Sequence, residues 1–118
     1  MLAKIQKKEM LPDIVVLELA GSLSEERDSR EVESRLDAIL QKNCRKVVFD
    51  MTGLEYMDSL GVGVIVMCSA KLRKTGGELR VAGAWGMVDE LCQMTRVKEI
   101  VSFYTSLPSA TQGFELPE

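Results

Sequence analysis

The chain contains no histidine. The commonest general base and a frequent zinc ligand are therefore missing, which weakens any hydrolase reading. Cysteine is sparse: Cys44, Cys68 and Cys92 are odd in number and far apart, so they fit neither a disulfide framework nor a zinc motif. Cys68 and Cys92 fall within apolar helical patterns and read as small buried hydrophobes. No run of about 18 apolar residues is present, so no spanning helix and no membrane insertion are expected. Met1 to Lys8 is too polar for a signal-peptide core, which points to the cytoplasm. Positive charge is not in excess either. Fifteen Lys and Arg against 18 Asp and Glu leave a net charge of −3 and no electrostatic footprint for direct nucleic-acid binding. Lys7-Lys8 and Lys71-Leu72-Arg73-Lys74 read as solvated strand and helix ends.

What is present is the composition of a globular domain: 118 residues, 46% apolar and 28% charged. One domain over residues 1–118 is expected, with its core in about 14–106. Leu2 to Glu9 alternates weakly and is lysine-rich, as an edge strand would be. Leu11-Pro12-Asp13 reads as a turn, and Ile14 to Ala20 as the antiparallel partner strand. Gly21-Ser22-Leu23-Ser24 should end it, with Ser24 or Asp28 capping the next helix. In that helix Val32, Leu36, Ile39 and Leu40 share a face, and Lys42-Asn43 is the stop.

Lys46 to Asp50 reads as a strand, Met51 to Met57 as a loop, and Ser59 to Lys74 as a helix ended by Thr75-Gly76-Gly77. Glu78 to Ala82 is a short strand and Gly83 to Gly86 a loop. Met87 to Arg96 is helical and Ile100 to Tyr104 the last strand. Ser106 to Thr111 begins a short helix, and Phe114 to Glu118 is a frayed tail. Strands that alternate with helices after a hairpin imply an α/β fold. Its mixed β-sheet of about 4–5 strands has parallel inner strands and helices packed on it.

The most informative stretch is Asp58-Ser59-Leu60-Gly61-Val62-Gly63. A strand that feeds a helix through a short connection delivers the helix N-terminus to one edge of the sheet. There the first N–H groups lack intrahelical partners and the dipole favours negative charge. Ser59 can cap this helix, or Asp58 can be the cap and Ser59 the first helical residue. Ser59 can also be presented to a partner and carry a phosphate. Gly61 and Gly63 cost about 1 kcal/mol each in a helix. Either they allow tight packing on the sheet, or they leave room for a partner.

From Val48 through Asp50, Thr52, Asp58, Ser59, Gly61 and Gly63, the chain resembles the STAS family. More narrowly it resembles the bacterial anti-sigma factor antagonists. Their signature is an apolar strand ending in Asp, a Ser or Thr two residues on, a spacer, then Asp-Ser-(Ser/Thr)-Gly-(apolar)-Gly. Lys74 to Val81 also matches the family's helix–Gly–strand passage. The resemblance extends from about Ile14 to Ser106. Leu60 stands where Ser or Thr is usual, and Ser24 where the family has an Asp near its binding surface.

The resemblance implies that Ser59 is the phosphoacceptor. The dephosphorylated protein would bind an anti-sigma factor serine kinase of the histidine-kinase-like ATPase fold and so free a sigma factor. Phosphorylation would end that binding, and a metal-dependent phosphoserine phosphatase would reset it. Ser24, Asp58, Ser59, Leu60, Gly61, Val62 and Trp85 would form the partner surface. No cofactor, metal or catalytic residue is implied, and the oligomeric state would be monomer or weak dimer.

Other readings stand beside this one. Asp50 at a strand end could be the acceptor of a receiver domain, but the acidic pair and lysine that such a domain needs are not evident. Asp50 and Thr52 more simply order the following loop. Trp85 and Met87 could be an exposed anchor or partial core, while Met57 and Met94 read as packing. A constitutive adaptor, or an accessory subunit of a transporter, would need no phosphorylation. An enzyme is the weakest reading, since no base is placed beside Ser59.

Overall fold

The structure is a computed structural model that describes residues 4–11 and 13–116. Its elements run β1 Lys4–Leu11, β2 Ile14–Leu23, α1 Glu26–Gln41, β3 Lys46–Met57, α2 Ser59–Lys74, β4 Glu78–Ala82 and α3 Gly86–Met94. A 3₁₀ turn at Val97–Glu99, β5 Ser102–Tyr104 and α4 Leu107–Thr111 complete the chain. The five strands lie in the order β1-β2-β3-β4-β5. β1 pairs antiparallel with β2, and every later pair is parallel. The expected mixed sheet is therefore observed. Pro12 of the expected turn lies outside the described residues.

Alternation along the strands divides the core between the two faces of the sheet. Val15, Leu17 and Leu19 of β2 and Val47, Phe49 and Met51 of β3 face α1, α2 and α3. Those helices bury Val32, Leu36, Ile65, Cys68, Leu72, Val88 and Cys92 against them. Ile14, Val16, Val48 and Ala82 face the other way, onto Ala110 of α4 and Phe114. The tail expected to fray is thus pinned at Phe114, while Pro117 and Glu118 lie outside the described residues. The pin is Arg80. Its guanidinium is buried, bonds the Glu78 carboxylate at 2.9 Å, and donates to the carbonyls of Ala110 at 3.2 Å and Gln112 at 3.3 Å. It also stacks 3.9 Å from the centre of the Phe114 ring.

Other boundaries move as well: β1 runs on to Leu11, and β5 starts at Ser102 rather than Ile100, which follows the 3₁₀ turn. β2 continues to Leu23, past Ala20. β3 continues to Met57, so the expected loop is strand. α1 starts at Glu26 behind Glu25, with no side-chain cap. Ser24 is not the cap: its hydroxyl lies 3.1 Å from that of Ser22. Asp28 is not the cap either, but sits buried inside the first turn, where the helix dipole favours its charge. α3 ends at Met94, with Arg96 left-handed at φ 63°.

The two glycines of α2 divide the readings between them. A Cβ on Gly61 would lie 2.2 Å from Met57 Cγ and 2.9 Å from the Leu23 carbonyl oxygen, whereas one on Gly63 would meet nothing within 4 Å. Gly61 serves packing, and Gly63 leaves an open surface. Gly61→Ala is therefore expected to lower stability by about 1–3 kcal/mol, since Met57 is fully buried and a carbonyl cannot yield. Gly63→Ala should be neutral or stabilising by about 0.4–1 kcal/mol. Urea unfolding of both variants checks this, and equal effects would refute the assignment.

Burial raises the thiols of Cys68 to about 12 and Cys92 to about 11. Iodoacetamide at mildly alkaline pH should therefore modify Cys44 alone in the native protein, and all three cysteines after denaturation, as read by peptide mass spectrometry.

Candidate functional site

The site is built outward from the second half of β3. The Asp50 carboxylate turns back onto Thr52, accepting from its N–H at 3.0 Å and its hydroxyl at 2.7 Å. Opposite, the register with β2 shifts between Glu18 and Ala20, so the chain accommodates an extra residue here. Gly83, at φ 75°, presses on the same spot: a Cβ there would lie 2.2 Å from the Thr52 hydroxyl oxygen. The Trp85 indole N–H donates to the Thr52 carbonyl at 2.9 Å, with the residue 54% exposed. Asp50, Thr52, Gly83 and Trp85 form one assembly that fixes this bend and the start of α3.

β3 then runs on beside β2 until Leu23 pairs with Met57. Asp58 follows as the N-cap of α2, and its Oδ1 accepts from the Leu60 N–H at 3.0 Å. Asp58 is the cap and Ser59 the first helical residue. Ser59 is exposed, its side chain free of the capping bond. Leu60 is also exposed and Val62 half-buried. Gly61 faces inward onto Leu23 and Met57, which brings Ser24 alongside. Ser24 and Asp58 through Val62 therefore converge on one corner, at the carboxyl ends of β2 and β3.

Trp85 meets β3 further back, at Thr52. At ~3.3 Å per residue, up to ~20 Å of strand separates Thr52 from Asp58. Trp85 and Met87 are both exposed, which favours the anchor reading over partial core. Met57 is packed as expected, but Met94 is 80% exposed, because α3 turns that side of its last residue away from the sheet. Tyr56 was missed in sequence and is exposed beside this corner, paired in register with Ser22. Its place two residues before the Asp58-Ser59 helix start was the available signal.

Among the described residues, no group of three His, Cys, Asp or Glu side chains is placed to hold a metal. No helix is long and apolar enough to cross a membrane. If Asp58 acts as cap, Asp58→Ala should cost about 1 kcal/mol of stability while Asp58→Asn and Ser59→Ala cost little. Thermal or urea melts of the three variants distinguish this from a cap supplied by Ser59.

Comparison with known proteins agrees with this architecture. The family model for the STAS domain matches residues 6–110. The anti-sigma F factor antagonist of Paenibacillus polymyxa is 28% identical over 104 residues, covering 87% of this chain and 88% of that protein. A crystal structure of an anti-sigma factor antagonist from Mycobacterium paratuberculosis superposes with a TM-score of 0.83 at 16% identity, covering 95% of this chain and 93% of that one. The Bacillus cell fate determinant SpoIIAA, in its phosphorylated form, superposes with a TM-score of 0.70 at 16% identity over 90% of this chain and 96% of its own. The solved structures speak to the fold, and with the family match over nearly the whole chain they lead to one conclusion: this protein belongs to the STAS domain family.

Proposed function

We propose that the protein is an anti-sigma factor antagonist switched by phosphorylation of Ser59. Unphosphorylated, it binds an anti-sigma factor serine kinase of the ATPase fold, and a sigma factor is released. Phosphorylation of Ser59 ends the complex, and a phosphoserine phosphatase restores it. It works in the cytoplasm as a kinase substrate rather than a catalyst, as monomer or weak dimer, with no cofactor and no direct contact with nucleic acid.

The observation that carries this reading is the exposed Ser59 on the first residue of α2, relieved of capping duty by Asp58. A phosphate there adds about −1.5 to −2 charges at pH 7. The positive end of the α2 dipole accommodates that charge, so the fold need not rearrange. A partner whose surface was fitted to a neutral hydroxyl, beside the carboxylate of Asp58, instead meets a bulky dianion. Like charges brought together across an interface cost several kcal/mol, enough to change affinity by orders of magnitude. Leu60 and Val62 supply apolar contact beside the hydroxyl, and Gly63 keeps the approach open. Its relatives' names as anti-sigma factor antagonists support the partner class.

The test is a paired pull-down from lysate of the producing organism, with Ser59→Ala and Ser59→Asp as baits. The alanine form should capture an ATPase-fold kinase that the aspartate form loses, and that kinase should label the wild type at Ser59 but not Ser59→Ala. If the alanine form binds no better than the aspartate form, the switch is refuted. Capture of the same non-kinase protein by both would make the domain a constitutive adaptor.

A further inference from the structure

Asp13, Arg45 and Gly77 lie where the parallel strands begin, at the end of the sheet opposite Ser59. The 12 residues of β3 separate the two ends, about 36 Å of strand. α1 and α2 both finish at this end, each with a left-handed residue just after its cap: Asn43 at φ 61° and Gly76 at φ 81°. Backbone N–H groups satisfy several carbonyls of their last turns. The N–H groups of Lys42, Asn43 and Cys44 bond Ile39 and Leu40, and those of Thr75, Gly76 and Gly77 bond Leu72 and Arg73. For those carbonyls the cations that crowd here are not needed as hydrogen-bond donors.

Those cations are Lys42, Arg45, Lys46, Arg73 and Lys74, on a chain whose net charge is −3. Lys46 is held by Asp13 at 2.6 Å, and Arg73 donates to the Ile100 carbonyl. Lys42, Arg45 and Lys74 are exposed, and no ion pair among the described residues holds them. Around Arg45 lie concave spaces rather than a flat plate. Cavities of about 260 and 200 Å³ share Asn43, Cys44 and Arg45, and one of about 390 Å³ is bounded by Arg73, Gly76 and Ile100. Leu116 lies at the junction of the largest and the second. Part-exposed apolar groups, Leu40, Cys44, Ile100 and Leu116, stand between the charges.

We propose that this end is a second docking face, and that its occupant is an acidic peptide segment carrying apolar side chains. The alternation of exposed cation and apolar hollow selects that chemistry. The chain's own Glu115-Leu116 shows the pattern that fits, with the acidic residue in solvent and the leucine between the hollows. A single-stranded nucleic acid would find no aromatic platform there for a base. A bilayer needs a flat or protruding contact, whereas these hollows recede. The proposal does not rest on phosphorylation of Ser59. With the two faces at opposite ends, one molecule can hold an acidic partner whatever the state of Ser59.

The experiment uses the full chain and a fluorescein-labelled peptide of repeating Glu-Glu-Leu. Anisotropy at low salt measures affinity, and amide NMR shifts map the contact. Binding should perturb Lys42 to Lys46 and Gly76-Gly77 and weaken with salt. Affinity should fall about tenfold or more in the double variant Arg45→Glu with Lys74→Glu, and in Lys42→Glu with Lys74→Glu, yet be unchanged in Ser59→Asp. Dispersion of the NMR spectrum confirms that each variant is folded. An otherwise identical peptide with Gln in place of Glu, or Ser in place of Leu, should bind more weakly. No binding, shifts centred on the Ser59 corner, indifference to the charge reversals, or tighter binding of a single-stranded oligonucleotide or anionic vesicles would overturn the proposal.

Discussion

The contact on which the rest of the site depends is the seating of Gly61 against Met57 and the Leu23 carbonyl. A backbone that must come so close to a strand carbonyl cannot carry a side chain. The absence of one lets the first turn of α2 lie directly on the ends of β2 and β3. The orientation of every neighbour follows from helical geometry. With Gly61 facing inward, Ser59, Leu60 and Gly63 fall on the outward side. The cap works in the same direction. Asp58 satisfies the Leu60 N–H and thereby leaves the Ser59 hydroxyl free of structural duty. Packing and capping together turn an ordinary strand–helix junction into a presented hydroxyl at the positive end of a helix.

The same seating explains why α2 lacks the usual amphipathic contrast. Its inner face buries Val64, Ile65, Cys68 and Leu72, while its outer face carries Leu60, Gly63 and Ala70 rather than charges until Lys71. Polar anchoring comes at the far end of the helix. There the Lys71 ammonium spans Glu33 at 2.6 Å and Asp37 at 2.9 Å of α1, and those carboxylates raise its pKa. The group is too exposed for these bonds to dominate stability, but they fix the relation of the two helices where their packing would otherwise be apolar and unspecific. The electrostatic organisation of the molecule is divided by sign: Glu25, Glu26, Glu55 and Asp58 lie toward the Ser59 end, and Lys42, Arg45, Lys46, Arg73 and Lys74 toward the opposite end.

Element types and order were legible in the sequence because α1 and α3 carry helical periods, the start of β2 alternates, and local start and stop signals bound the rest. The α2 boundaries, Ser59 and Lys74, follow from the Asp-Ser start and the Thr-Gly-Gly stop, both of which are local chemistry. The second half of β3 was not legible. Its buried residues are Met51, Leu54 and Met57, three apart, and a strand announces itself by a period of two. The spacing arises from register shifts against β2 at Glu18 to Ala20 and at Gly21 to Ser22, a property of the pair that neither strand reveals alone. The extension of β2 through Gly21 and Ser22 was hidden for the same reason. Phe114 was misread because its burial depends on Arg80, more than thirty residues earlier, and no local pattern encodes such a partner. Met94 misled in the opposite sense: its apolarity is real, but α3 ends there and nothing beyond covers it.

These particulars bear on how a signal at Ser59 could be read. Coupling between distant surfaces requires an element with two arrangements that both sites bias. β3 links the Ser59 corner to the basic end, and it is not such an element. Its first half is paired on both sides with β2 and β4, and its second half is paired with β2 up to Met57. Of its two irregular points against β2, the one near Thr52 is held by the Asp50 carboxylate, by the Trp85 indole and by the close approach of Gly83, and pairing resumes beyond the second at Ser22 with Tyr56 and Leu23 with Met57. A phosphate on Ser59 would push against a helix start whose nearest degree of freedom, Met57, is fully enclosed. Its effect must therefore remain at the surface where it is added, as a local change in charge and shape that only a molecule seated on that corner can sense.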